Sequence, residues 1–369
     1  MTSAVAAAMS ACLLLATPEN AEADALDDAI AFLNEKGVKQ AGKPVDRENV
    51  EKLQSLNLPA AAAIGDDDLV HLIALPKLGN LDISQSKVTN AGMETLARIE
   101  GLRGIRLFGT QIGDAGVAAL GALPNLGSLE LDTTPITDKA LVSLGAFPKL
   151  HTLGISKTSV THEGLAALQA SRSLRTLTAG SMPAFTPEMM RAIGGIGSLQ
   201  SLTLHFNELD GVMAGLEGSK LRRLGISNAK LSDVGGESIG TLFELTNLTV
   251  LNTQIGDETI AAVSAIPKLE LIQALGTQIT DAAGPHFAKM ASLKTLWMGR
   301  TGTGDALLPH LAGLPLESLS LDETGVTDEG LKALHAVKTL KRLDVSKTQV
   351  TEIGAKALEE AVPGIQIRR

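Results

Sequence analysis

Between Leu102 and Leu123 the apolar residues fall at spacings that belong to two different elements. With Leu102 as offset 0, Ile105 and Leu107 at offsets 3 and 5 alternate as in a half-buried strand, while Val117, Leu120 and Leu123 at offsets 15, 18 and 21 recur as on one face of a helix. Ile112 joins them at offset 10, with Thr110 at offset 8 and Asp114 at offset 12. The pattern restarts at Leu126. Its starting leucines are Leu53, Leu78, Leu102, Leu126, Leu150, Leu174, Leu199, Leu221, Leu245, Leu269, Leu293, Leu316 and Leu340, so thirteen units follow one another in steps of 22 to 25 residues. A strand followed by one helix cannot bury its own apolar side, and only stacked copies close a common core.

This period, with its L-x-x-L-x-L frame, resembles the leucine-rich repeat. The tail Val326-Thr327-Asp328-Glu329-Gly330-Leu331 is similar to the cysteine-containing and ribonuclease-inhibitor-like subclasses, although Thr110, Thr134, Thr158 and their equivalents stand where those carry Asn or Cys. The resemblance implies an α/β solenoid over residues 53–369, with a curved parallel sheet on the concave face, helices on the convex face and a binding role. At about 4.8 Å per strand, thirteen units predict one elongated ladder on the order of 60 Å long.

The ends depart from the repeat. Ala4 to Ala16 is small and apolar, and Ala21-Glu22-Ala23 fits a cleavage site, so residues 1–23 read as a signal peptide and the chain as exported; Met1-Thr2-Ser3 lacks the usual basic residue, and a retained leader would make it cytoplasmic. Asp24 to Lys36 predicts a helix stopped by Gly37, with Leu26, Ile30 and Leu33 as its apolar stripe. Together with the Gly42-Lys43-Pro44 turn it forms a cap, residues 24–52, over the open end of the core. Inside the array, Met182-Pro183-Ala184-Phe185-Thr186-Pro187 replaces the usual loop and the unit from Leu199 is short, which fits a hinge, a protrusion or repeat decay.

Composition narrows the chemistry. Aromatic residues make up 2%, with Trp297 alone and no Tyr, and the formal net charge is -9. That balance argues against a nucleic-acid surface, which needs clustered Lys and Arg. Cys12 is the single cysteine, so disulfides within the chain and thiolate metal sites are excluded. The seven histidines lie in different repeats without paired-ligand spacing, and Gly299-Arg300-Thr301-Gly302-Thr303-Gly304-Asp305 lacks the Gly-Lys-Ser/Thr ending of a phosphate loop. No catalytic residue, cofactor site or metal site is assigned, no run reaches the length of a membrane span, and the chain reads as a non-enzyme.

Two polar ladders remain. The offset-12 row, including Asp138, Asp257, Asp281, Asp305 and Asp328, invites a calcium reading; a Thr or Asp cap on the free amides of the following helix explains it without a metal. The offset-8 threonines satisfy backbone groups where the strand ends. Function is then expected where the repeat rule is silent, at offsets 2, 4, 6 and 7 on the concave sheet. Against a background of small polar residues stand Arg106 and Phe108, His205 and Phe206, and then Leu251, Leu271, Gln273, Leu275, Trp297 and Arg300. The last group, rimmed by Asn247, Thr249, Ser318 and Ser320, has the composition of a binding hot spot, though simple cover of the sheet is the alternative. The reading is a recognition scaffold for a protein or glycan. A self-assembling envelope protein and an intracellular adaptor are the alternatives, with oligomeric state left open.

Overall fold

The computed structural model describes residues 18–58, 63–182 and 185–369, with side chains from Glu22 onward. Most of the expected leader, and Pro183 and Ala184 of the irregular loop, lie outside the described residues. The chain divides between Leu126 and Gly127 into two compact units.

In the first unit the cap helix spans Pro18–Glu35, beginning earlier than the Asp24 start read from the sequence. Its buried face also differs. Ala29, Phe32 and Leu33 are buried, while Leu26 and Ile30 are only half-buried. The cause is the larger ring of Phe32, which stacks on His71 with centroids 4.8 Å apart, beside a Lys36–Asp68 pair at 3.7 Å. A tight hairpin follows, Lys39–Gln40 against Lys43–Pro44, its turn made by Ala41 and Gly42 at φ 51° and 80°. Asn34 then holds Val45 through two 2.8 Å hydrogen bonds, one to its amide and one to its carbonyl. Parallel strands Ser55–Asn57, Asn80–Asp82 and Gly104–Arg106 pair in sequence order, and helices Asn90–Leu96 and Asp114–Ala119 follow the last two.

The second unit carries eleven parallel strands, from Ser128–Glu130 to Gln366–Arg368, each bonded to its sequence neighbours within the unit. The register sets the offset-3 residues in one column: Leu129, Leu153, Leu177, Leu202, Leu224, Leu248, Ile272, Leu296, Leu319, Leu343 and Ile367. Leu129, Leu153 and Leu177 are fully buried, each worth about 2 kcal/mol of apolar transfer. Most strands have three residues, but four consecutive ones, Thr176–Gly180, Ser201–His205, Arg223–Ser227 and Asn247–Leu251, have five.

Beyond each strand the chain turns in the same way. Offset 7 has positive φ in all twelve repeats from Leu78 to Leu340, although only Gly109 and Gly276 there are glycines. The left-handed turn lets the offset-7 amide donate one further bond to the next repeat, as Thr133 does to the Ser156 carbonyl (2.7 Å) and Arg300 to that of Asp322 (2.8 Å). Next, the offset-8 hydroxyl returns to the offset-5 carbonyl: Thr110 to Leu107 (2.8 Å), Thr158 to Ile155 (2.7 Å), Thr277 to Ala274 (2.8 Å) and Thr348 to Val345 (2.6 Å). The threonine row therefore plays the part expected of it, and only Thr253 has a buried hydroxyl with no partner among the described residues.

Of the two caps read from the sequence, threonine or aspartate, the offset-11 threonine is the one that serves its own helix, as Thr161 does toward the Glu163 amide (3.3 Å) and Thr327 toward that of Glu329 (3.2 Å). The aspartate reaches into the next repeat. Asp138 accepts the Thr161 amide and hydroxyl, both at 2.7 Å, and Asp257, Asp305 and Asp328 do the same for Thr280, Thr327 and Thr351. The physical reason is the orphan amides at each helix start, which lie within reach of the preceding repeat's side chain. Among the described residues no three His, Cys, Asp or Glu side chains gather as a metal would require.

Candidate recognition surface

On the open sheet face of the second unit, the offset-4 side chains form a row: Thr249, Gln273, Trp297, Ser320, Asp344 and Arg368. Trp297 is half-exposed, and its indole Nε1 donates to Ser318 Oγ at 3.1 Å, which fixes the ring across the neighbouring strand. With Leu275 it lines an open depression of about 620 Å³ whose other walls include Asp322, Arg342, Asp344, Lys347 and Arg368. Two ion pairs and one hydrogen bond hold part of these walls: Arg368 Nη1 lies 3.3 Å from Asp344 Oδ2, Lys347 Nζ lies 2.9 Å from Glu323 Oε1, and Ser320 Oγ donates to Asp322 at 2.7 Å. The hydrogen bond from Lys347, then its charge, pulls the Glu323 carboxyl below its ordinary range. Asp322 lies over Gly299, where a Cβ would collide with the carboxylate, so the missing side chain makes room for it.

Leu251, Leu271 and Gln273 line a second depression of about 400 Å³ over Gly225, and Thr249 Oγ1 donates to Gln273 Oε1 at 3.1 Å. Arg300 stands apart on the left-handed turn at φ 57°, with Nη2 3.5 Å from Asn252 Oδ1, and Asn252 Nδ2 donates to Asn228 Oδ1 at 3.0 Å. His205 lies over Gly180, edge-to-face with Phe206 at 5.7 Å, and Phe206 is 63% exposed. Arg106 and Phe108 belong to the first unit, where Arg106 sits 3.9 Å from Asp82. The ten residues singled out from sequence are thus not one patch: Trp297 shares a depression with Leu275, while Leu251, Leu271 and Gln273 line another.

A family model described as "Leucine Rich repeat" matches residues 315–334 and 338–358. An internalin of Listeria monocytogenes has a similar structure, at 19% identity over 93% of this chain and 94% of that one, with a TM-score of 0.58. The fold is that of a leucine-rich repeat. A structure of TLR13 in complex with ssRNA13 is also similar, at 14% identity and a TM-score of 0.53, covering 88% of this chain and 63% of that one. No curated protein matches the sequence.

In leucine-rich-repeat terms the exposed offsets carry the variable chemistry, and here sequence reading missed part of it. It chose ten residues, Arg106, His205, Gln273 and Arg300 among them with the apolar and aromatic ones, while Asp322, Asp344 and Arg368 went unmarked. The signal was present: Asp344 and Arg368 share the offset-4 row with Trp297, as the parallel register requires. Among the described residues no helix is long and apolar enough to cross a membrane.

Proposed function

We propose that the chain is a non-enzymatic recognition scaffold, exported by its N-terminal segment, that binds a protein partner on the open sheet face around Trp297. The observation that supports this is the Trp297–Leu275 depression: the one tryptophan of the chain, half-exposed and oriented by Ser318, beside a leucine and among charged residues of both signs. A fixed aromatic anchor surrounded by polar groups is how a small part of an interface carries most of its energy. A protein fits this mixed apolar and charged wall better than RNA does, since the carboxylates of Asp322, Glu323 and Asp344 offset the cations of Arg342, Lys347 and Arg368 and leave no excess positive charge for phosphates, even though the similar TLR13 structure contains ssRNA13. Export rests on the apolar run from Ala4 to Ala16 and its Ala21-Glu22-Ala23 site.

The test is affinity capture from extracts of the source organism with the parent chain and Trp297→Ala. A partner held by the parent should be lost, with affinity at least about tenfold weaker, while the melting temperature stays nearly the same because the ring is not in the core. If both forms retain only further copies of the chain, self-assembly replaces recognition. A large drop in melting temperature would place Trp297 in the core and remove the anchor.

A further inference from the structure

Where the strands begin, at the margin of the second unit's sheet, lies a concavity of about 600 Å³ lined by Gln169, Arg172, Arg175, Ser198, Gln200, Lys220, Arg222 and Glu244 among others. Four cationic side chains thus face one carboxylate, on a chain whose net charge is -9. Neighbouring repeats treat the same margin differently. There, Lys268, Lys294 and Lys341 each meet a glutamate, Glu244 at 2.8 Å, Glu270 at 3.3 Å and Glu317 at 2.7 Å. The single acid of the concavity is therefore already engaged by Lys268. That hydrogen bond is the main cause lowering the Glu244 carboxyl, and Arg222 adds to it from a distance. Arg172 and Lys220 make no ion pair among the described residues.

The cations are also placed for a ligand. The backbone links Arg175, Gln200 and Arg222, each the residue just before one of three successive strands, through bonds from Gln200 to Arg175 (2.9 Å) and from Arg222 to Gln200 (2.8 Å). Two strand spacings hold Arg175 and Arg222 about 10 Å apart at the backbone, with a polar floor between them. Arg175 is anchored by Nη1 alone, which donates to the carbonyls of Arg172 (2.9 Å) and Ser198 (3.2 Å) and leaves its other guanidinium nitrogens to donate elsewhere. In that floor Gly197 has open space where a Cβ would stand. Charged donors converging from two sides across a gap suit a tetrahedral oxyanion with three acceptor oxygens better than a carboxylate, which one guanidinium satisfies.

We propose that this cleft binds a phosphate or sulfate ester, separately from the Trp297 depression. The full chain is titrated calorimetrically with pyrophosphate, then with a phosphoserine peptide and a sulfated disaccharide to separate the two sources, and with an oligoglutamate peptide as competitor. Pyrophosphate and one of the two esters should bind, with affinity falling as salt rises. Arg172→Gln with Arg222→Gln, both at exposed positions, should weaken binding at least about tenfold. Glu244→Gln should strengthen it, and Lys268→Gln should weaken it by freeing Glu244 to pair with Arg222. Coincident thermal melts establish that the variants fold. Equal binding by parent and double variant, no binding by the parent, or binding of oligoglutamate in preference to the esters would each overturn the proposal.

Discussion

Thr133 occupies the left-handed region at φ 58°, an uncommon place for a β-branched residue. It stays there because its amide must reach the Ser156 carbonyl of the next repeat, so the backbone demand comes from the neighbour and not from the residue itself. The same demand falls on Lys157, Phe206, Arg300 and Glu323, whose side chains share nothing that would announce a turn. This is why offset 7 looked like an ordinary exposed position in sequence, while the offset-8 threonine beside it, with a hydroxyl suited to one carbonyl, was readable. Asparagine tolerates the conformation and already stands in the row as Asn228 and Asn252. Thr133→Asn should raise stability by about 0.5–1 kcal/mol, seen as a higher denaturant midpoint with an unchanged slope. A midpoint that falls would mean that the Thr133 side chain makes a contact outweighing the backbone strain.

At the scale of the element, each helix start is held by the repeat before it. Asp138 accepts from Thr161, and Gly164 lies so close to that carboxylate that a Cβ would overlap it; Asp305 and Gly330, and Asp328 and Gly354, repeat the arrangement. Where the glycine is absent, Thr259 fills the position and donates its own amide to Asp233 at 3.0 Å. The period, the strand column and the buried leucines were legible because each follows from a spacing within one unit. The clamp was not, because its aspartate and glycine lie in different units and a single repeat shows only a plausible cap. Gly164→Ala should cost about 2 kcal/mol by pushing Asp138 off the Thr161 amide. Paired with Asp138→Ala, it should cost clearly less than the sum of the single changes. Strict additivity in that double-mutant cycle would mean that the glycine and aspartate act independently.

For the molecule as a whole, the clamps and the lysine–glutamate pairs tie stability to pH. Hydrogen bonds from Thr351 pull the Asp328 carboxyl below its ordinary range, while Lys268, Lys341 and Lys347 do the same for Glu244, Glu317 and Glu323. A carboxyl whose folded pKa lies below its unfolded value stabilises the fold above the unfolded value, and that contribution disappears as pH falls through the folded one. Acidification first relieves the self-repulsion of a chain of net charge -9, but only down to its pI near 5.4; below that the chain is positively charged and repulsion adds to the loss. At physiological salt, charges farther apart than about 8 Å are screened, whereas a carboxylate in direct hydrogen bonds is screened much less, so loss of the paired carboxylates dominates. The melting temperature should therefore hold between about pH 7 and pH 5 and fall below about pH 4. Asp328→Asn keeps an acceptor without a titrating proton, as Asn90 does for the Gly113 and Gly116 amides at 2.7 and 3.1 Å. The variant should be less stable than the parent at neutral pH and lose less on acidification, so the two curves converge at low pH. Parallel curves would show that the Asp328 clamp does not take part in acid unfolding.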